Sequence, residues 1–255
     1  MTHEHITIPC LNDNYAYVIA NTETATCILI DAPQAAPIVE TLAARGLTLT
    51  HILITHHHDD HTQAVPEILA HHRARVIGAA ADAHRLPPLD QGVADGQTIM
   101  VDDLTCQVMD VSGHTIGHIA FYFPDLGHAY TADSLMALGC GRLFEGTPDQ
   151  MWASLTRLIA LPDDTIICSG HEYTLTNAAF AKSVDPDNPD LLNRCTAIQS
   201  DRDAGRFTAQ VPLGLEKQTN PFLRPHCPNI RATLNMPDAP DVAVFAEIRK
   251  RKDNF

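Results

Sequence analysis

The chain has 255 residues, 45% of them hydrophobic, and a formal charge of −14. That length can bury the core of one large α/β domain, or of a medium domain with a smaller companion, and the composition is that of a globular protein rather than a disordered one. The acidic balance argues against nucleic acid as a partner, no apolar run reaches the roughly 18 residues of a membrane span, and "MTHEHITIPC" lacks the basic and apolar stretches of an export signal.

Taken in chain order, short apolar runs rich in β-branched residues recur through the first two thirds: "YAYVIA", "CILIDAP", "HILITH", "RVIGAA", "TCQVMDVSGH", "HIAFYF", "HAYTAD" and "TIICSGH". Each predicts a strand. Between them "APIVETLAARG", "TQAVPEILAHHR" and "PDQMWASLTRLIAL" predict helices. Near-continuous apolar runs with helices interspersed point to sheets buried under helices. After "SGHEYT" the strand signals fade. There "LTNAAFAKSVD", "PDLLNRCTAIQSDRDAGR" and "DVAVFAEIRKRKD" read as helices broken by Pro-rich connections. A boundary near residue 170, between a sheet-rich domain and a smaller helical one, follows.

Cysteines stand at positions 10, 27, 106, 140, 168, 195 and 227, with no CxxC. Most fall in apolar runs, which predicts buried free thiols and a cytoplasmic protein. The charge is unevenly spread: residues 194–255 hold ten Lys and Arg against seven Asp and Glu, and residues 1–193 hold seven against 24. The basic end "RKRKDNF" fits either a solvated helix terminus favoured by the macrodipole or a site for an anionic ligand.

The polar cluster "THHHDDH", residues 55–61, begins where the buried-strand pattern "HILIT" ends. His56, His58 and Asp60 are two apart, so an extended chain projects them to one side, and His61 turns the set toward the next helix. The spacing differs from the helical His-Glu-x-x-His zinc pattern. Three later runs have the same design. "CQVMDVSGH" delivers His114, "HAYTAD" delivers Asp133 and "TIICSGH" delivers His171, twice behind a Gly that permits a tight turn. A single His after a strand is ordinarily structural. Four such exits on one chain point to a site, because neighbouring strand ends share a rim.

These seven donors exceed the three that one catalytic Zn²⁺ takes from a protein, and suit two ions sharing a carboxylate. With no Cys in the set, Zn²⁺ fits first, with Fe²⁺ or Mn²⁺ as alternatives. His57, Asp59 and His118 lie beside the donors and read as flanking or solvated groups rather than metal-bound ones.

With "HHHDDH", "SGHTIGH", "TADS" and "SGHEY", the chain resembles the metallo-β-lactamase superfamily over residues 1 to about 173. "LNDNYAYVI", "GCGRLFEGT", "NPFLR" and "RKRKDNF" are similar to glyoxalase II, the hydroxyacylglutathione hydrolase family, over essentially the whole chain. That resemblance implies an α/β (α+β) fold: a four-layer αββα sandwich with a smaller C-terminal α-helical domain. The catalytic domain would span residues 1–172 and a helical substrate-binding domain 173–255.

The resemblance assigns one metal ion to His56, His58 and His114 and a second to Asp60, His61 and His171, with Asp133 bridging them. Asp60 and Asp133 are then the catalytic carboxylates around a metal-bridging hydroxide that attacks a thioester carbonyl. Glutathione contacts fall on Arg142, Phe144, Tyr173, Arg249 and Lys252. Arg142 stands where Lys is common, Phe144 where Tyr is common and Ala132 where Gly is usual. The implied reaction is hydrolysis of S-2-hydroxyacyl-glutathione thioesters, chiefly S-D-lactoylglutathione, to glutathione and D-lactate, by a monomer, as in methylglyoxal detoxification. The alternatives are a persulfide dioxygenase, which uses one iron, and another metallo-hydrolase of the superfamily.

Overall fold

The near-continuous apolar runs become strands hidden on both faces, as "YAYVIA" shows: every residue from Asn14 to Ala20 is buried. The computed structural model describes residues 2–255. The chain divides into two compact units, Met1–Asp110 with Gly117–Leu126, and Val111–Ile116 with Gly127–Phe255.

The first unit contains β1 (His3–Cys10), β2 (Asn14–Asn21), β3 (Thr26–Ile30), α1 (Ala35–Arg45), β4 (Thr48–Leu53), α2 (Asp59–Thr62), α3 (Val65–His71), β5 (Arg75–Ala79), β6 (Gln91–Val93), β7 (Thr98–Val101), β8 (Leu104–Asp110) and β9 (Ile119–Phe123). β1 to β6 form one sheet in sequence order. β1, β2 and β3 pair antiparallel, and from β3 to β6 the pairing is parallel. Parallel neighbours need crossovers, which α1 supplies between β3 and β4, and α2 with α3 between β4 and β5. α1 buries Ala35, Ile38 and Leu42, one stripe at helical spacing, and ends at Gly46 with φ +64°. Leu42 is fully buried, so its truncation to Ala is expected to cost about 2–5 kcal/mol. β7, β8 and β9 form an antiparallel ladder.

The second unit contains β10 (His128–Ala132), β11 (Leu135–Met136), β12 (Gly139–Cys140), α4 (Pro148–Ile159), β13 (Ile166–Ser169), α5 (Thr174–Val184), α6 (Pro189–Asp203), β14 (Gln210–Pro212), α7 (Leu213–Thr219), α8 (Pro228–Leu234) and α9 (Asp241–Asp253). β13 pairs parallel with β10 and antiparallel with β14. α4 starts in a full capping box, Thr147 with Gln150, and Pro148 opens its first turn.

The β11–β12 hairpin is held by polar side chains from the helices. Glu216, fully buried, accepts the Leu138 N–H at 3.0 Å and pairs with the Arg194 guanidinium. Asn220 donates to the Met136 and Gly139 carbonyls, and Asn177 to that of Ala137. Among the described residues no helix is long and apolar enough to cross a membrane.

Two sequence readings change here. The extended run through His56 and His58 stops short of Asp60, because Asp59–Thr62 is one helical turn. Two carboxylates at its start suit the unpaired N–H groups and positive end of a helix. Nor is the part of the chain after "SGHEYT" wholly helical. Gln210–Pro212 is a strand, too short to show a period.

Candidate metal centre

β4 ends in a parallel sheet, where strand exits carry function, and the chain continues into the His-rich loop. Its geometry is set by a residue that the sequence reading passed over. Asp31, 3% exposed and held at φ +57°, sits just past the end of β3. Its Oδ1 accepts the Thr55 N–H at 2.9 Å, and its Oδ2 accepts the Thr55 hydroxyl at 2.8 Å and the His61 Nδ1–H at 2.8 Å. The Thr55 proton is thereby committed, so toward His56 Nδ1, 3.0 Å away, the hydroxyl accepts. Both imidazoles consequently carry their proton on Nδ1 and turn a lone-pair Nε2 outward, the tautomer that a metal ligand needs. The signal for Asp31 was present in "CILIDAP", an acid closing an apolar run.

The rest of this set packs around those two rings. His56 Nε2 lies 3.1 Å from His58 Nδ1. Asp60 Oδ2 is 3.9 Å from His61 Nε2, and Asn14 fixes that residue by donating at 3.0 Å to both its side chain and its carbonyl. His118, fully buried, lies flat against His56 with ring centroids 4.5 Å apart.

In the second unit His114, Asp133 and His171 are 3%, 6% and 5% exposed. Asp133 Oδ2 lies 3.4 Å from His114 Nε2 and 3.3 Å from His171 Nε2, so one carboxylate oxygen faces two imidazoles. His114 Nδ1 donates to the Arg142 carbonyl at 2.7 Å, which again leaves Nε2 as the acceptor. Ala132, just before Asp133, has φ +41°. A non-glycine residue there carries strain of about 1 kcal/mol or more, a cost that Gly would avoid. At Gly141 a Cβ would overlap the Asp133 carbonyl oxygen, so only glycine fits.

The five residues expected to touch substrate all lie in this unit. Tyr173, 38% exposed, stacks on His171 with centroids 4.7 Å apart, and Phe144, 62% exposed, meets the His114 ring edge-on at 5.2 Å. Arg142 pairs with Asp253 at 3.4 Å, over the Phe144 ring. Arg249 is deeper: 6% exposed, it donates to the Cys140 carbonyl at 2.7 Å and holds Asp253 at 2.9 Å. Asp253, shared by two guanidinium groups, was not in the expected set. Lys252 lies between the rings of Phe180 and Phe255 at 5.4 and 5.5 Å, and burial, reinforced by Arg249, pulls its pKa down.

Cysteine chemistry is absent from this picture. All seven described thiols are free. Burial pushes Cys10 and Cys140 up to about 11 and Cys27 up to about 12, so none of these three is a nucleophile at neutral pH. Buried imidazoles with committed Nδ1 protons, beside carboxylates and without thiolates, fit a divalent ion of the Zn²⁺, Fe²⁺ or Mn²⁺ type.

Comparison with known proteins agrees with this chemistry. Residues 12–171 match the metallo-β-lactamase superfamily and residues 172–255 match the family described as hydroxyacylglutathione hydrolase C-terminus. The hydroxyacylglutathione hydrolases of Ruegeria pomeroyi and Roseobacter denitrificans are 55% and 56% identical to the chain, over 100% of both partners in each case. Among solved structures, BLEG-1 B3 metallo-β-lactamase is similar with a TM-score of 0.68 at 21% identity, covering 87% of this chain and 100% of that one. ETHE1 from Myxococcus xanthus is similar with a TM-score of 0.64 at 24% identity, covering 99% and 98%. At those identities the two structures speak for the fold alone, the αββα metallo-β-lactamase fold. The full-length relatives speak for more: the chain belongs to the hydroxyacylglutathione hydrolase family of the metallo-β-lactamase superfamily, whose His and Asp donors use divalent metal.

Proposed function

We propose that this chain hydrolyses S-2-hydroxyacyl-glutathione thioesters, chiefly S-D-lactoylglutathione, releasing glutathione and D-lactate. The observation that carries the reading is Asp133 Oδ2 facing His114 and His171, one imidazole from each of the two expected metal sets, at nearly equal distances. All seven donors also fall within the 12–171 stretch that matches one superfamily. One ion would be held by His56, His58 and His114, a second by Asp60, His61 and His171, and Asp133 would bridge them. Two such ions would supply Lewis acidity and lower the pKa of coordinated water toward about 7.

The chain's own residues do the rest. Asp31 keeps the proton of His61 on Nδ1, and the Arg142 carbonyl does the same for His114. The C–S bond breaks with its electron pair on sulfur, and a thiolate of pKa about 8.5 leaves without needing a proton donor. Arg142 and Lys252 suit the carboxylates of glutathione. The Lys252 ammonium in particular is only partly solvated, and a bound carboxylate would restore what burial takes from it. Tyr173 and Phe144 present rings beside two of the ligand imidazoles, where an acyl or cysteinyl segment can lie.

The division of labour in this reading is a catalytic domain over 1–172 and a helical substrate-binding domain over 173–255, working as a monomer. The free thiols suit a reducing cytoplasm. The test is hydrolysis of S-D-lactoylglutathione followed by absorbance, with elemental analysis of the same sample. Turnover with close to two ions per chain is expected. A stoichiometry that stays at one despite added Zn²⁺ or Fe²⁺ would remove the dinuclear mechanism, and no turnover at full occupancy would remove the substrate.

A further inference from the structure

His57 sits between two expected ligands, yet its side chain has other partners. Its Nδ1 lies 3.3 Å from Asp82 Oδ2, and its Nε2 lies 3.3 Å from Arg85 Nη1. Arg85 closes the circuit by donating from Nε to Asp82 Oδ1 at 2.6 Å. A guanidinium only donates, so His57 Nε2 accepts and the proton of a neutral ring sits on Nδ1, facing Asp82. The two hydrogen bonds of this trio both run through Arg85, and the His57–Asp82 approach is electrostatic, within ion-pair distance but without hydrogen-bond alignment.

Asp82 is 2% exposed, a burial that carboxylates rarely reach unless paired. A second contact ties the same residue to the site. Gly117, at φ +94°, approaches so closely that a Cβ would come within 2.8 Å of the Asp82 Cβ. The next residue, His118, is the ring stacked on His56. The close approach of Gly117 thus helps to hold in place the carboxylate that faces His57.

We propose that Asp82, together with Arg85, is a positioning residue for the metal-binding loop, acting on the His56 and His58 imidazoles through His57. It touches neither metal nor substrate. Anchoring the middle member of the histidine run fixes the backbone that its two neighbours share, and its ring meets that of His58 edge-on at 4.9 Å. The donors are then ordered before any ion arrives, and the ion does not have to order them. The inference rests on the divalent-metal reading of the site.

The test is Zn²⁺ affinity of the full-length, chelator-stripped protein, measured by competition with a chromogenic chelator, alongside the melting midpoint of the metal-free form. Asp82→Asn and His57→Ala are each expected to weaken Zn²⁺ binding about 10- to 100-fold, the usual effect of losing a group that orients ligands. The double variant is expected to bind no worse than His57→Ala alone, since both break one route. Losses that simply add overturn the proposal. So does a lowered midpoint with Zn²⁺ affinity within about threefold of wild type, the signature of a merely structural role.

Should Asp82→Asn fail to fold, His57→Ala and Arg85→Ala carry the test, because those side chains are 18% and 30% exposed. Unchanged affinity in both overturns the proposal. A wild-type protein that takes up no Zn²⁺ overturns the metal reading and this inference together. A wild type that binds while the variants match it overturns the inference alone.

Discussion

The four candidate donors of the first unit, His56, His58, Asp60 and His61, lie within one six-residue stretch, whereas those of the second, His114, Asp133 and His171, come from three separate strand exits. The two sets are held differently. In the loop, neighbours in sequence are guaranteed but direction is not, and buried side-chain carboxylates impose it: Asp31 on His61 and, through Thr55, on His56, with Asp82 on His57. In the second unit the strands already fix location. There a backbone carbonyl, that of Arg142, orients His114, and the hairpin after Asp133 is clamped through its own backbone by Glu216, Asn220 and Asn177. Contiguous ligands need side-chain tethers, and dispersed ligands need a rigid frame.

The largest effect is expected at Asp133, the carboxylate proposed to bridge the two ions. Asp133→Asn should cut turnover roughly a thousandfold, about 4 kcal/mol in barrier, with circular dichroism unchanged, because an amide is a poor bridge between two cations. Near-normal turnover with both metals present would show that the bridge lies elsewhere. Next comes the tether. Asp31→Ala leaves buried donors on Thr55 and His61 unpaired, at about 1–3 kcal/mol each. Metal affinity should fall about 10- to 100-fold with it, whereas a substitution on the exposed face of α4 should change neither. Equal responses would erase the contrast between loop and frame.

Smaller effects are expected at the substrate residues. Lys252→Ala should raise KM for S-D-lactoylglutathione about tenfold, the lower end of what a charge-assisted hydrogen bond is worth. A small thioester without the glutathione carboxylates should be hydrolysed as before. Arg249→Ala should slow both substrates, since it also releases the Cys140 carbonyl. Equal behaviour of the two variants would mean that the end of α9 acts as one unit. The smallest change is expected from Phe144→Tyr. An exposed hydroxyl adds a hydrogen bond of about 0.5 kcal/mol, roughly a twofold fall in KM.

Much of the site is legible in the sequence because strand exits write it there. An apolar run ending in "THHHDDH", "SGH" or "TAD" marks where a candidate donor sits. Asp31 and Asp82 were not read out, because an acid after a strand or in a turn is ordinary until a distant imidazole is found against it. Asp253 shares that reason, lying in a charge run that reads as solvated. Arg249 belongs to the same run, yet it is buried against Phe222. The helical turn at Asp59–Thr62 and the two-residue strands β11 and β12 are shorter than any periodicity can show. β1, in contrast, carries a readable alternation, with Ile6, Ile8 and Cys10 buried at every second position.

The buried thiols bear on a hazard peculiar to the proposed chemistry. Thioesters exchange with thiolates, so a protein that concentrates an activated acyl group near its own cysteines risks being acylated in place of water. Cys140 lies two residues before Arg142, and its thiol is raised to about 11 by burial, with Arg249 opposing the rise. At neutral pH that keeps the thiol protonated. The same burial that packs the hairpin therefore keeps the Cys140 thiol from becoming a competing acyl acceptor, and the acyl group is left to solvent.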